Sequence, residues 1–333
     1  MAETFKALML RQEGGKTRHA IERLTVNDLP EGDVLVAVEY SSLNYKDAMA
    51  ITGIGKIVRE YPMVPGIDLA GTVLESKSPF YKAGDKVVLT GWSVGERYWG
   101  GYTQCARVKS NWLVPLPDGL DTRHAMAIGT AGFTAMLCVM TLEEAGINPG
   151  NGTILVTGAA GGVGSVAVAI LSYLGFRVAA LTAPGQESTH EYLEDLGVTD
   201  FVSGPEWSVQ PRPLENQRWS GAVDTVGGKV LARVLAEMNY GGCVANCGMA
   251  GGSDLPATVM PFILRSVSLR GVDSVMCPIH RRKTAWSRLV RDLPESALDM
   301  ITPEIITLND LSKYSADLLA GKLRGRLIVD VKA

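Results

Sequence analysis

The sequence predicts an α/β protein in which a doubly wound parallel sheet is joined to a partly closed antiparallel β unit. Two observations support this prediction. Residues 152–182 form a strand, a glycine-rich turn, a helix and a second strand in succession, which is the unit from which doubly wound sheets are built. Residues 6–114 consist instead of short apolar runs separated by glycine and proline, which is typical of antiparallel β structure.

The glycine-rich turn follows a β-branched apolar strand at residues 153–157 and opens a helix of small residues. Gly158 allows a sharp turn out of the strand, and Gly164 allows the helix to pack closely against the sheet. Gly161 and Gly162 allow a pyrophosphate to approach the backbone, because they have no Cβ atom, while N–H groups at the helix start face the anion. This context predicts a dinucleotide site, and a purely structural turn is the alternative.

The part of the chain before the glycine turn begins as β structure. Its predicted strands are residues 6–10, 33–38, 69–73, 86–89, 104–108 and 113–114. From about residue 124 the pattern changes to helical periodicity, interrupted at residues 129–132. We therefore expect the first β unit to end near residue 125.

Strands and helices alternate after the glycine turn, which predicts further strands of the parallel sheet. The predicted strands are residues 176–182, 201–202, 219–226 and 242–247, and the predicted helices are residues 165–174, 189–196 and 229–238. Residues 203–218 contain several prolines and are expected to form a loop. Residues 263–333 return to short mixed elements, which predicts that they rejoin the first unit.

The composition is that of a globular protein with more than one domain, since the chain has 333 residues, of which 46% are apolar and 20% charged. A net charge of −3 gives no reason to expect a nucleic-acid or membrane partner. The polar residues 1–6 predict no secretory signal, and no charge-free run is expected to reach the ~18 residues of a spanning helix. We therefore expect a cytoplasmic protein.

The cysteines predict free thiols, because their number, 5, is odd and the chain is large. Cys243 and Cys247 are spaced like half of a zinc site, but no second pair or nearby histidine completes such a site. Their apolar surroundings favour buried structural thiols instead.

Four motifs follow one another along the chain: Gly66-Ile-Asp68-Leu-Ala-Gly71, Gly84-Asp85-Lys-Val87, Thr130-Ala-Gly-Phe-Thr-Ala135 and the glycine turn. In kind and in order they resemble the medium-chain dehydrogenase/reductase superfamily, and the resemblance covers nearly the whole chain. Within the superfamily the sequence is most similar to the acrylyl-CoA reductase branch, whose members are often labelled quinone oxidoreductase. The distinctive strings are SSLNYKDAMAITG (41–53), VPGIDLAG (64–71), TGWSVGE (90–96), IGTAGFTAMLCVM (128–140), ESTHEYLEDLG (187–197) and PFILRSVSLRGVDSV (261–275).

This resemblance implies a GroES-like substrate domain made of residues 1–125 and 263–333, a Rossmann domain at residues 126–262, and a cleft between them. It also implies a homodimer, and NADPH-dependent reduction of the C=C bond of a short α,β-unsaturated acyl-CoA thioester such as acrylyl-CoA. A quinone or enone reductase using the same chemistry is one alternative. A non-catalytic NADPH-binding sensor is another.

The resemblance also addresses zinc. Zinc-dependent relatives carry a ligating histidine in the position that Ile67 occupies here, and Leu43-Asn44-Tyr45 has no cysteine where the first ligand would stand. Because a catalytic zinc needs three protein ligands, we expect no metal. Chemistry without zinc favours reduction of an electron-poor alkene over alcohol oxidation.

The resemblance assigns catalytic roles to Asn44, Tyr45 and Arg326. Tyr45 is expected against the nicotinamide end of the cofactor, where its phenol can pack, donate to an enolate oxygen or relay a proton. Arg326 is expected to anchor the thioester carbonyl or enolate, because its guanidinium is always charged and has several donors. The alternatives are an Asn-Tyr turn and a solvated basic loop. Asp68 either orients a side chain in the cleft or caps a turn.

Further cofactor residues follow from the same resemblance. Ala160 to Val163 are expected on the pyrophosphate, and Met249, Ile263 and Ser274 near the nicotinamide and its ribose. By residue type alone, Met249 and Ile263 are equally ordinary core residues.

The cofactor preference is the point at which the sequence departs from its relatives. No acid follows the second strand, which argues against strict use of NAD, but the arginine of the related Ser-Gly-Arg motif is also missing. We still expect NADPH. Its 2′-phosphate has five candidate partners: Thr182, Gln186, Ser188, Arg177 and Arg212.

A basic run at Arg281, Arg282 and Lys283 has two interpretations. It can meet the phosphates of a coenzyme A thioester, or it can form a solvated helix start. Charge clusters of this size usually face water, which favours the helix start.

Overall fold

The structure is a computed structural model that describes residues 4–333. The first three residues of the polar segment on which we based the absence of a secretory signal lie outside the described residues. The described chain divides into two compact units. Unit one comprises the chain up to Thr130 together with Ser274–Val290 and Leu298–Ala333, and unit two comprises Ala131–Asp273 and Arg291–Ala297.

The strands follow one another along the chain in three groups, two in unit one and one in unit two. They are β1 Thr4–Glu13, β2 Lys16–Thr25, β3 Val34–Ser42, β4 Asp68–Ser76, β5 Lys86–Thr90, β6 Cys105–Val108, β7 Val114–Pro115, β8 Thr153–Thr157, β9 Arg177–Leu181, β10 Val198–Val202, β11 Trp219–Asp224, β12 Met238–Asn246, β13 Ser268–Gly271, β14 Glu304–Thr307 and β15 Leu327–Asp330.

The α-helices are concentrated after residue 120, apart from one short helix after β3. They are α1 Tyr45–Thr52, α2 Thr122–Glu144, α3 Gly162–Tyr173, α4 His190–Asp195, α5 Gly228–Glu237, α6 Met260–Arg265, α7 Ile279–Asp292, α8 Glu295–Ile301 and α9 Leu311–Leu319.

Unit two contains the predicted parallel sheet. Its strands lie in the order β10-β9-β8-β11-β12-β13, and each neighbouring pair is parallel. This order confirms the doubly wound fold, in which the chain runs outward from a central strand in both directions. The central strands are almost fully buried, which explains their apolar, β-branched sequences.

The boundary of unit two differs from the prediction at its carboxyl end. The sequence places the end of the dinucleotide domain at residue 262, whereas unit two continues to Asp273. The reason is β13, which pairs with β12 as the sixth parallel strand and so belongs to the sheet. Its four residues are too short and too exposed to show a strand pattern in the sequence.

Unit one is built mainly from antiparallel pairs. Its larger sheet has the order β14-β15-β3-β4-β5-β7, with β6 also paired to β3, and β14 and β15 form its parallel pair. The carboxyl-terminal strand β15 pairs antiparallel with β3, so the end of the chain forms part of this sheet.

A hairpin of β1 and β2 forms a separate two-stranded sheet in unit one. The sequence predicts only its first strand, because β2 is polar and largely exposed and shows no apolar alternation. Gly14 and Gly15 join the strands and both have positive φ angles, of 56° and 77°. A Gly-Gly pair between two ten-residue runs was the available signal for this hairpin.

The expectation that no charge-free run reaches ~18 residues is wrong for helix α2. Residues 125–142 carry no charge, so a charge-free run of 18 residues does exist, contrary to that expectation. The apolar window of α2 is 94% buried inside the protein, as in the core helix of a globular domain. Its backbone is also broken at Gly129, where φ is 51°.

The cysteines behave as expected from their number. All five are free thiols, and Cys243 is buried while Cys247 is partly buried. Cys243 belongs to β12, within the parallel sheet. The interpretation of this cysteine as a core thiol is confirmed.

Strand β4 offers a test of the packing of unit one. Leu69 is 0% exposed in its apolar core, whereas Leu74 on the same strand is 46% exposed. We expect Leu69→Ala to lower the free energy of unfolding by about 2–5 kcal/mol, because it leaves a cavity, and Leu74→Ala to lower it by less than about 1 kcal/mol. Urea unfolding followed by fluorescence measures both. Equal losses would contradict the packing described here.

Candidate active site

The glycine turn of unit two has the geometry of an anion cradle. Gly158 follows β8 with a φ of 61°, and Gly161 precedes the first turn of α3. A Cβ atom on Gly164 would lie 2.3 Å from the Gly158 carbonyl oxygen, so only glycine permits this approach. The first N–H groups of α3 have no acceptor within the helix and are available to a pyrophosphate. The residues present therefore fit a dinucleotide.

Asp224 holds the carboxyl ends of three neighbouring strands together beside this turn. It is fully buried and accepts hydrogen bonds from Thr157 Oγ1 at 2.7 Å, from Asn246 Nδ2 at 2.7 Å and from the Gly227 backbone N–H at 2.9 Å. The sequence analysis did not identify Asp224, because it placed this residue inside a predicted strand that extends to residue 226. An acid followed by Gly227 and Gly228 at the end of an apolar strand was the available signal.

Other residues predicted to contact the cofactor lie in both units. Ala160 is buried in the glycine turn. Met249 and Ile263 are 70% and 73% exposed, so the alternative of core packing is wrong for both. Ser274 belongs to unit one, where its carbonyl oxygen accepts a hydrogen bond from Arg282.

Two of the candidate partners of a 2′-phosphate are occupied by acids. Arg177 donates from Nε and Nη2 to the Asp200 carboxylate at 3.0 and 3.2 Å. Arg212 forms an ion pair with Glu215. Gln186 accepts a hydrogen bond from the Ala183 N–H at 3.3 Å. The structure therefore favours neither arginine as an anion-binding group.

A buried polar cluster lies in unit one around Asp68, the first residue of β4. The Asp68 carboxylate accepts hydrogen bonds from the Ser42 N–H at 3.1 Å, from the Thr130 N–H at 2.8 Å and from Asn44 Nδ2 at 3.1 Å. The Ser42 hydroxyl also donates to it. Asp68 thus orients the side chain of Asn44, one of the two roles considered for it.

Arg326 lies in the same cluster and not in a solvated loop. It is buried, and all three guanidinium nitrogens donate to the protein, with acceptors on Ala127, Leu43, Asn44 and Ser42. Burial lowers the pKa of Arg326, and the negative charge of Asp68 opposes that shift. Arginine nevertheless remains charged in proteins, so this charge compensates Asp68.

Gly129 makes room for the cluster. It interrupts α2 with a positive φ, and a Cβ atom there would lie 2.6 Å from Arg326 Nη2 and 2.9 Å from Asp68 Oδ2. The break in the helix also directs the Thr130 N–H to the Asp68 carboxylate. The interruption that the sequence predicts at residues 129–132 is therefore part of this cluster.

A second buried acid, Asp47, completes the cluster and was missed in the sequence. Its carboxylate accepts hydrogen bonds from the Ile67 N–H at 2.9 Å and from the backbone and side-chain N–H groups of Asn44, each at 3.1 Å. Burial and the nearby charge of Asp68 raise the pKa of Asp47 to about 7. Its position in Asn-Tyr-Lys-Asp, three residues after a helix cap, was the available signal.

Asn44 connects the cluster to the protein surface. It caps α1, while its side-chain oxygen accepts a hydrogen bond from Arg326 Nη1 at 3.0 Å. Tyr45 is the first residue of α1 and is 48% exposed. Among residues 4–333 its hydroxyl has no hydrogen-bond partner, so the phenol is available to a ligand. The buried hydrogen-bond network therefore leads through Asn44 to one exposed aromatic hydroxyl, that of Tyr45.

The basic run near the start of α7 is not uniformly solvated. Arg282 is fully buried, donates to Thr90 and to the carbonyl oxygens of Ser274 and Val275, and lies 5.0 Å from the ring centre of Trp92. The expectation of a solvated helix start is wrong for Arg282, because this guanidinium joins the loop before α7 to β5. Because its guanidinium is buried, Arg282 is not accessible to a coenzyme A phosphate either.

In residues 4–333 no group of three or more His, Cys, Asp or Glu side chains is arranged to hold a metal ion. The position of the ligating histidine in zinc-dependent relatives is occupied by Ile67, a buried apolar residue. The position of the first cysteine ligand falls in Leu43-Asn44-Tyr45, whose Asn44 belongs to the polar cluster.

Comparison with family models agrees with this architecture. Residues 30–118 match the alcohol dehydrogenase GroES-like domain, and residues 162–291 match the family described as zinc-binding dehydrogenase. The GroES-like unit and the parallel sheet together define a class of two-domain dinucleotide-binding oxidoreductases. The chain belongs to the medium-chain dehydrogenase/reductase superfamily.

Individual relatives specify the branch. The chain is 58% identical over 327 residues to a probable acrylyl-CoA reductase, AcuI, of Escherichia coli, covering 98% of this chain and 100% of the relative. The yhdH oxidoreductase of Salmonella enterica, crystallised in complex with NADP, superposes with a TM-score of 0.95 and 59% identity, covering 98% and 99% of the two chains. Bacillus subtilis yhfP, crystallised with NAD, has a TM-score of 0.95 and 42% identity, covering 99% and 100%. The branch is that of acrylyl-CoA reductases and quinone oxidoreductase-like proteins.

The pKa of Asp47 provides a test of the cluster that needs no substrate. Between the ordinary carboxyl pKa of about 3.9 and the native value of about 7, the folded chain holds a proton that the unfolded chain has released. We therefore expect the free energy of unfolding to fall as the pH rises through this window, and to fall less in Asp47→Asn. Urea unfolding at a series of pH values measures this pH dependence.

The matched control is Asp254→Asn, at an exposed position in unit two, which should keep the native dependence of the unfolding free energy on pH. An unchanged slope in Asp47→Asn would contradict the assignment.

Proposed function

We propose that this protein catalyses the NADPH-dependent reduction of the C=C bond of a short α,β-unsaturated acyl-CoA thioester, with acrylyl-CoA as the substrate. The end-to-end identity of 58% to the probable acrylyl-CoA reductase of Escherichia coli is the main support. The glycine cradle of unit two, which fits a dinucleotide, and the accessible hydroxyl of Tyr45 beside the polar cluster of unit one support it further.

The reaction places specific demands on the protein. NADPH, when bound, supplies the hydride that reaches the β-carbon of the substrate. The protein must place donors at the enolate oxygen, where negative charge develops, and must allow a proton to reach the α-carbon. Both tasks require a hydrogen-bond donor at an accessible position.

Tyr45 is the group that we assign to these tasks. Its hydroxyl is accessible, while Asn44 and Arg326 are buried with their polar atoms engaged by the protein. We therefore revise the roles implied by the resemblance. Tyr45 is the catalytic residue that donates to the enolate or relays the proton, and Asn44 and Arg326 are positioning residues that hold the first turn of α1.

The cofactor assignment uses residues of both units. We assign Gly158, Ala160, Gly161, Gly162, Val163 and Gly164 to the pyrophosphate, Thr182 and Gln186 to the adenosine ribose, and Tyr45, Met249, Ile263 and Ser274 to the nicotinamide end. The geometry of the glycine turn supports the first group. The exposure of Met249 and Ile263 leaves both side chains available to a ligand.

We also propose a homodimer in the cytoplasm. Strand β13 lies at the edge of the parallel sheet, and the neighbouring α6 exposes the apolar side chain of Leu264. Open edges and apolar patches of this kind are usually covered, here by β13 of a second copy. The free thiols support a reducing compartment.

The dimer can be tested at α6. We expect the native chain to have the mass of a dimer by light scattering, and Leu264→Asp to shift the mass toward a monomer, because it buries a charge in the interface. Tyr240→Asp, at another exposed apolar position of unit two, is the matched control and should remain dimeric. A native monomer at micromolar concentration would reject the dimer.

The activity is tested by varying Tyr45 in the full-length protein. With NADPH and acrylyl-CoA we expect Tyr45→Phe to lower kcat by about 100-fold, because the donor is lost while the ring remains. Tyr98→Phe is the matched control, since Tyr98 also lies in unit one and is 43% exposed. It should retain native kcat.

Substrate choice separates the alternatives. Acrylyl-CoA and a simple quinone are assayed side by side with NADPH, following absorbance of the reduced cofactor. Turnover of the quinone alone would favour a quinone oxidoreductase. Tight NADPH binding without turnover of either compound would favour a non-catalytic sensor.

A further inference from the structure

Recognition of the 2′ position of the adenosine ribose takes place after the second strand of a doubly wound sheet. That strand is β9, and the residue that follows it is Thr182. An acid at this point would bind the 2′-hydroxyl of NAD, and an arginine nearby would bind the 2′-phosphate of NADP. This chain has neither in residues 180–186, so the two common determinants are both missing.

His190 is the basic group that the fold brings to Thr182. Its Nε2 atom lies 3.5 Å from Thr182 Oγ1. The imidazole ring stacks on Phe201 of β10, with 3.9 Å between the ring centres and 16° between the planes. The stacking fixes the ring, and both Thr182 and His190 are partly exposed, so their donors can reach a ligand.

The arginines of the neighbouring elements do not compete for this role. Arg177, at the start of β9, is bidentate to Asp200, and Arg212 pairs with Glu215. The acid in the same loop is Glu187, which accepts a hydrogen bond from the Gly185 N–H at 3.4 Å. His190 is therefore the base whose nitrogen faces the residue after β9.

We propose that His190, together with Thr182, binds the 2′-phosphate of NADPH and sets the cofactor preference of this protein. The imidazole Nε2–H and the threonine hydroxyl both donate to phosphate oxygens. An imidazole offers one donor in this direction, whereas an arginine offers a bidentate fork. Each of these two donors accordingly contributes about 10-fold to the preference for NADPH over NADH, the effect of one hydrogen bond to a charged group.

Binding of nucleotide fragments to the full chain tests this role without turnover. Adenosine 2′,5′-bisphosphate and adenosine 5′-monophosphate are titrated by calorimetry, since they differ only in the 2′-phosphate. We expect His190→Phe, which keeps a ring against Phe201, to weaken the bisphosphate about 10-fold and to leave the monophosphate unchanged. Thr182→Val should weaken the bisphosphate selectively as well.

The controls make the result decisive. Arg177→Gln should bind both fragments like the native chain, and a selective loss in that variant would overturn the proposal. Equal weakening of both fragments by His190→Phe, or no weakening, would also overturn it. The proposal rests on the proposed use of NADPH. A native chain that binds neither fragment rejects both, whereas a native chain that prefers the bisphosphate but ignores His190→Phe rejects only the role of His190.

Discussion

The buried carboxylate of Asp68 is the constraint on which the polar cluster of unit one depends. A charge without access to water is costly unless it is paired and fully hydrogen-bonded. Asp68 meets this condition through N–H groups of Ser42, Asn44 and Thr130 and through the charge of Arg326 nearby. These partners come from separate parts of the sequence, so the hydrogen bonds around one carboxylate connect β3, β4, the residues of α2 that belong to unit one, and the segment before β15.

The second buried acid of the cluster is Asp47, whose proton release is shifted toward neutral pH. Asp47 has its pKa raised to about 7, partly because Asp68 already holds negative charge close by. The cluster thus has one carboxylate that is compensated by Arg326 and one that takes up a proton near neutral pH. Both contact Asn44, whose amide donates to the two acids and accepts from the guanidinium. The orientation of α1, and with it of Tyr45, follows from this fully engaged side chain.

The sequence predicted the parallel sheet better than the polar cluster, for a physical reason. Strand β8, the glycine turn and α3 are local features, because apolar periodicity and the conformational freedom of Gly158 appear within a few residues. The contact between Arg326 and Asn44 joins residues 282 positions apart and leaves no local pattern. The resemblance therefore assigns Arg326 to a ligand, and the structure adds that its guanidinium donates to Ala127, Leu43, Asn44 and Ser42. Asp47 was missed although its capping position was visible.

Relatives that share the fold differ in the nucleotide found in their crystals, since the Salmonella enterica protein was crystallised with NADP and the Bacillus subtilis protein with NAD. The two relatives superpose on this chain with the same TM-score of 0.95. The backbone fold therefore does not decide between the two cofactors. The decision must lie in side chains beside the ribose, where a few donors separate a hydroxyl from a phosphate. In this chain that position brings together a threonine, a histidine held by stacking, and no acid directly after β9. Such a site selects by the number of donors that it offers to the 2′ position, so we expect the cofactor preference to follow the side chains of this loop and not the sheet.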